Sequence, residues 1–249
     1  MLFGLLDKTC KKISKLDMEK EAPLMMREIN RARPDFLERL QESGVKKNVI
    51  GLISQAIARG VLVHIKEMPT IVDIMVDRVQ SRRTDPAIRC AVVGVLAYLV
   101  QPHDLIPDDA PGGYGYVDDN ALLRAGLIEY LDILPPQATE AEKQRDYLQL
   151  FGSIVPLNVL PALQAAVMGV TSAFHLLRML PSELLEITTQ QAIINPLQMS
   201  APQPPPDFTA PVAPSLGGGR WSGGAYFEGD NVIMPGGPSL IDGQLFIPD

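Results

Sequence analysis

Five carboxylates fall between Asp104 and Asp119, at Asp104, Asp108, Asp109, Asp118 and Asp119, and they are the densest set of groups in the chain that could do chemistry. They sit in Gln101-Pro102-His103-Asp104-Leu105-Ile106-Pro107-Asp108-Asp109 and, after a Gly-rich turn, in Gly115-Tyr116-Val117-Asp118-Asp119. Hard divalent cations take several oxygen ligands, so Asp104, Asp108, Asp118 and Asp119 are candidate ligands for Mg²⁺ or Ca²⁺ if Gly112, Gly113 and Gly115 fold the loop back on itself. The spacing matches no EF-hand loop. The same residues have a structural use: an Asp at a helix start accepts hydrogen bonds from its free N–H groups and favours the positive end of the dipole. Asp118 fits that role for the helix carrying Leu122, Leu123 and Leu127, and Asp104 is placed to tie the turn after Tyr98. Acid–base catalysis is the least favoured use, because no Ser or Cys nucleophile sits in a recognisable frame. His64, His103 and His175 are widely spaced and form no ligand pattern. Arg82, Arg83 and Arg89 surround the Asp85-Pro86 helix start, as a solvated face or as a contact for phosphate or lipid headgroups.

The elements that position these residues read as helices through the first two hundred positions, with apolar residues at three- and four-residue spacing and no long alternating β-branched run. The pattern predicts helices at Leu2–Leu16, Leu24–Arg31, Asp35–Glu42, Lys47–Ile65, Thr70–Arg82, Pro86–Val100, Asp119–Leu134, Glu140–Phe151, Leu157–Leu180 and Ser182–Ile194. Pro69, Pro102, Pro107, Pro135-Pro136, Pro181 and Pro196 mostly punctuate them, and Asp85-Pro86 reads as an N-cap with proline at the first helical position. The expected fold is all-α: an N-terminal helical region (1–84), a helical hairpin (85–135), a second helical region (136–198) and a Pro/Gly-rich, mostly irregular arm (199–249).

The arm opens with Pro202, Pro204, Pro205, Pro206, Pro211 and Pro214 and continues through Gly217-Gly218-Gly219. Such a segment builds no core of its own and suits docking to a partner, with Trp221, Tyr226, Phe227 and Phe246 as the contact residues. Asn231–Met234 and Leu240–Ile247 read as short strands or as anchors that order against that partner. At the other end, Leu2, Phe3, Leu6, Ile13 and Leu16 share a helical face while Lys8, Lys11, Lys12 and Lys15 occupy the others. That pattern suits a helix on an anionic membrane surface, with Leu2, Phe3, Leu6, Lys8 and Lys12 in contact, and equally a helix docked on the protein's own core. Gly152–Phe174 carries no charged residue and is long enough to cross a bilayer, but its Pro, Asn, Gln, Ser and Thr content favours a buried core helix.

Composition narrows the classes. The chain has 249 residues, 46% hydrophobic, 20% charged and 6% aromatic, with 22 Lys+Arg against 29 Asp+Glu and a net charge of −7. More than half of that charge lies after Met199, where Arg220 faces Asp207, Glu228, Asp230, Asp242 and Asp249. An acidic chain poor in aromatics argues against nucleic acid as a partner. Cys10 and Cys90 are far apart and match no zinc or redox motif, which fits a reducing compartment. The opening Met-Leu-Phe-Gly-Leu-Leu lacks a cationic n-region, so the expected location is the cytoplasm, with the inner face of the membrane as a variant.

The run Ala97-Tyr98-Leu99-Val100-Gln101-Pro102-His103-Asp104-Leu105-Ile106-Pro107-Asp108, followed by Gly115-Tyr116-Val117-Asp118-Asp119, resembles the YkvA-like bacterial family, domain of unknown function 1232. That family's signature is an apolar helix running into a Pro-x-Asp-Leu-Ile-Pro-Asp turn, then Gly-Tyr-x-Asp-Asp opening a second apolar helix. The resemblance covers about residues 86–134. It implies a small helical hairpin, membrane association and no established reaction, and it aligns Asp104, Asp108, Asp118 and Asp119 with the family's acidic pattern. Asp109 and Pro111-Gly112-Gly113-Tyr114 depart from that pattern. The function expected from the whole sequence is a non-catalytic scaffold or adaptor that docks a protein assembly through residues 199–249 and needs no cofactor. The alternatives are a membrane-associated helical protein and a divalent-metal-dependent enzyme using the Asp cluster.

Overall fold

A computed structural model describes residues 1–101, 105–132 and 138–198, together with four three-residue strands of the C-terminal arm. The body is all-α. Its helices are α1 (Leu2–Ser14), α2 (Met18–Ala32), α3 (Pro34–Glu42), α4 (Lys47–Gln80), α5 (Pro86–Tyr98), α6 (Val117–Asp132), α7 (Ala138–Ile154), α8 (Leu160–Leu177) and α9 (Ser182–Ile194), with short 3-10 segments at Pro111–Tyr116 and Pro196–Gln198. In the arm, β1 (Tyr226–Glu228), β2 (Asn231–Ile233), β3 (Ser239–Ile241) and β4 (Gln244–Phe246) pair antiparallel in sequence order. Two of these strands fall in the pieces read as short strands, and Tyr226, Phe227 and Phe246 lie on β1 and β4.

The centre of the body is α4. The sequence divides it at Pro69, but the structure carries one 34-residue helix through that proline. A helix of that length spans about 50 Å. Proline in a helix interior removes one backbone hydrogen bond and strains the turn before it. Here the loss is offset by the burial of Ile65, Met68, Ile71 and Val72 on both sides of Pro69. Likewise α2 starts six residues before its expected beginning at Leu24 and carries Pro23 inside it. Asp17 caps it, accepting from the Glu19 N–H at 3.0 Å. At α5 the Asp85-Pro86 expectation holds, since Asp85 accepts from Ala87 N–H at 2.8 Å.

Around α4 pack α1, α2, α5 and α6, and α8 and α9 both lie on α5. One buried apolar cluster runs from Leu2 to Ala192, so the helical regions share a core. The apolar side of α1 belongs to that core: Leu2 and Leu6 are buried and Phe3 packs partly against them, which takes these three away from the membrane-surface role. Lys8 and Lys12 remain exposed. The preference for a buried helix at Gly152–Phe174 also needs correction. Leu163, Val167 and Phe174 of α8 face the core, but Met168, Leu176 and the following Met179 are exposed, and only 17% of the helix is buried. Among the described residues, α4 and α8 are long and apolar enough to cross a membrane by length and composition.

Candidate functional site

The acidic turn is built from the end of α5, the segment Leu105–Ala110, the Gly-rich 3-10 segment and the first turn of α6. Asp118 lies within α6 and not ahead of it. Its Oδ2 accepts the N–H of Leu105 at 2.9 Å, the N–H of Ile106 at 3.2 Å and the Tyr98 hydroxyl at 3.4 Å. One carboxylate therefore clips the turn to both helices of the hairpin. Its other oxygen is buried without a hydrogen-bond partner. Burial pushes the Asp118 carboxyl up to about 6, against the opposing pull of the backbone N–H groups of Ile106, Leu105 and the helix start.

The glycines act by close approach. Gly112 and Gly113 have φ of 70° and 74°, a region open to glycine and strained for L side chains. A Cβ on Gly112 would come within 2.2 Å of the Met25 nitrogen, so α2 rests on the bare backbone of this turn. At Gly115 a Cβ would lie 2.4 Å from the Pro107 carbonyl oxygen. Tyr114 anchors the segment by donating to the Ile154 carbonyl at 2.7 Å, and burial raises its phenol.

Asp118 and Asp119 are buried, Asp108 is exposed, and Asp104 lies outside the described residues, as does His103. Among the described residues no three His, Cys, Asp or Glu side chains come together as a metal-holding group. His175 Nε2 lies 4.0 Å from Glu129, and Cys10 and Cys90 both stay in the thiol form because burial raises them. The Trp221 contact candidate also lies outside the described residues.

Asp118 has a pH consequence. The unfolded chain ionises this carboxyl near 3.9, while the folded chain holds the proton to about 6. A raised folded value gives stability that is fully present below the unfolded value and lost as pH rises to 6. Wild type should therefore lose about 2 kcal/mol from this group between pH 4 and pH 6.5. Asp118→Asn keeps an oxygen for the two N–H donors and cannot ionise. Urea titrations at both pH values should show the variant losing less stability over this window, and equal losses in the two proteins would remove burial of Asp118 as the cause.

A second polar group was missed from the sequence. Arg124 of α6 is 0% exposed. Its Nε donates to Asn120 Oδ1 at 2.9 Å, Nη1 donates to Gln144 Oε1, and Nη2 reaches Glu67 Oε2 at 2.7 Å and the His64 carbonyl at 3.2 Å. The guanidinium carbon sits 4.8 Å from the Tyr147 ring centroid, and Gln144 passes the chain of bonds to Glu140 at 2.7 Å. The His64 ring hydrogen bond, at 3.1 Å, and Arg124 together hold Glu67 down at about 2. Arg124 thus joins α4, α6 and α7 by one planar fork, the geometry for which arginine is suited. The sequence signal was a lone cation in Leu122-Leu123-Arg124-Ala125-Gly126-Leu127-Ile128.

The root of the arm is also fixed. Gln101, at the end of the hairpin's first helix, donates from Nε2 to the Pro196 carbonyl at 2.7 Å, and both residues are buried. No curated protein and no solved structure matches this chain. Residues 88–124, which run from α5 through the acidic turn to Arg124, match the family described as Protein of unknown function (DUF1232).

Proposed function

We propose that this protein is a non-catalytic scaffold or adaptor of the cytoplasm. Its helical body holds the root of the 199–249 arm in place, and the arm docks a protein partner. The observation that carries this reading is the buried Gln101–Pro196 bond. It ties the point where helical sequence gives way to Pro/Gly-rich sequence onto the acidic hairpin, so the arm leaves a rigid platform. An arm of this composition loses its conformational freedom only on binding, which suits adaptable contact with a partner. Engagement of Asp118 Oδ2 with Leu105, Ile106 and Tyr98 supports the scaffold reading, because that oxygen holds the turn to the hairpin.

Ending the chain at Ser200 should leave helical circular dichroism and cooperative melting within experimental error of the full chain. The same truncation should abolish recovery of a stoichiometric protein partner. Unchanged recovery would take docking away from the arm. Membrane association is a second reading, favoured by the exposed apolar residues of α8 and of the turn after it.

A further inference from the structure

The turn between α8 and α9 gathers large apolar side chains that the body leaves uncovered. Leu176, Met179, Leu180, Leu184 and Ile187 are all exposed within one corner of the chain, Met179 at 80%. Met168 continues the same uncovered side along α8. Large apolar side chains left exposed in such number near one turn point to a contact.

The charge around the corner identifies what covers it. No Asp, Glu, Lys or Arg occurs from Gly152 to Leu177. Arg178 is exposed within the corner itself. Leu177 and Leu185 share a small buried cluster with Ala87 and Cys90 of α5, which brings the start of α5 to this corner. Exposed Arg82 and Arg83 lie just ahead of that start. Three acids lie locally: Asp85 caps α5, Glu186 is bonded to Arg89, and with Glu183 they stand against Arg82, Arg83, Arg89 and Arg178, an excess of one positive charge. A cationic rim around an apolar tip forms on a chain whose net charge is −7. An anionic lipid surface accepts both halves of the pattern, with apolar side chains at the acyl boundary and arginines among the phosphates.

We propose that the α8–α9 corner, Leu176 to Ile187 with Arg82, Arg83 and Arg178 at its rim, docks the protein shallowly on an anionic phospholipid bilayer. This rests on the membrane reading above and adds the surface and the lipid charge. α8 keeps Leu163, Val167 and Phe174 in the core while the corner enters the headgroup region. The protein therefore lies on the membrane through this corner and does not cross it with α8.

The test is flotation of the full chain with vesicles of phosphatidylcholine and phosphatidylglycerol in equal parts, beside phosphatidylcholine alone. The full chain should float with the anionic vesicles and release at high salt. Leu176→Glu with Met179→Glu, both surface changes checked by circular dichroism, should weaken binding at least about tenfold. Arg82→Gln with Arg83→Gln should weaken it by about fivefold per arginine and leave the weak binding to neutral vesicles unchanged. Flotation of the double-Glu variant equal to wild type would overturn the corner while leaving membrane association standing. Absence of flotation by the full chain would overturn both, and so would a dimer that the double-Glu change dissolves in the absence of vesicle binding. The vesicles hold no protein, so none of these outcomes bears on partner recovery through the arm.

Discussion

Gly112→Ala should lower stability by more than about 3 kcal/mol and the melting temperature by roughly 10 °C. Two costs coincide at this position. The φ of 70° is unfavourable for any residue with a Cβ, and the added carbon would lie 2.2 Å from the Met25 nitrogen, 2.8 Å from the Leu24 carbonyl carbon and 2.9 Å from the Glu21 carbonyl oxygen. Those are backbone atoms of α2, so relief means moving a helix whose Met25 and Ile29 are core residues. Two neighbours of the same chemistry calibrate the effect. Gly113→Ala pays the same backbone strain, but its new contact is the flexible end of Leu16 at 3.2 Å, so it should cost about 1–2 kcal/mol. Gly60→Ala fills open space in the interior of α4 and should stabilise by about 0.5–1 kcal/mol. Thermal melts of the three variants give the order directly. A Gly112→Ala protein as stable as Gly113→Ala would show that α2 does not rest on this turn.

Arg124→Met should cost about 2–4 kcal/mol, near the lower part of the range for breaking a buried ion pair. Methionine fills much of the arginine volume, so the loss is electrostatic and hydrogen-bonding in origin. It deprives Asn120, Gln144 and the His64 carbonyl of a donor and leaves Glu67 without its cation. Glu67 is partly exposed and recovers water, which keeps the cost below that of a fully enclosed carboxylate. Adding Glu67→Gln to Arg124→Met should therefore restore part of the loss, and a double-mutant cycle by urea denaturation measures that part. Strict additivity of the two changes would mean that the two side chains do not act as a pair.

The chain announces most of its helices because their apolar spacing and their caps agree locally. Asp85-Pro86 is legible for that reason, since the cap and the proline it precedes are adjacent. Pro69 misled because a proline's local cost is visible in the sequence while the burial that offsets it comes from other helices. The same asymmetry governs the acidic turn. The motif marks Asp118 as important, but that it clips Leu105 and Ile106 depends on how the hairpin closes. Arg124 draws partners from positions 64, 67, 120 and 144, which no window along the chain brings together. The exposed side of α8 shows the converse limit: composition measures how apolar a helix is and says nothing of how much of it the other helices cover.

The central claim, that a rigid helical body presents the 199–249 arm to a partner, is tested most directly by affinity recovery of the full chain beside the version ending at Ser200, from soluble and membrane fractions separately. The account predicts a discrete protein partner recovered with the full chain from either fraction and lost on truncation, while the truncated body still melts cooperatively. A partner recovered equally by both versions would contradict it and move docking onto the helical body.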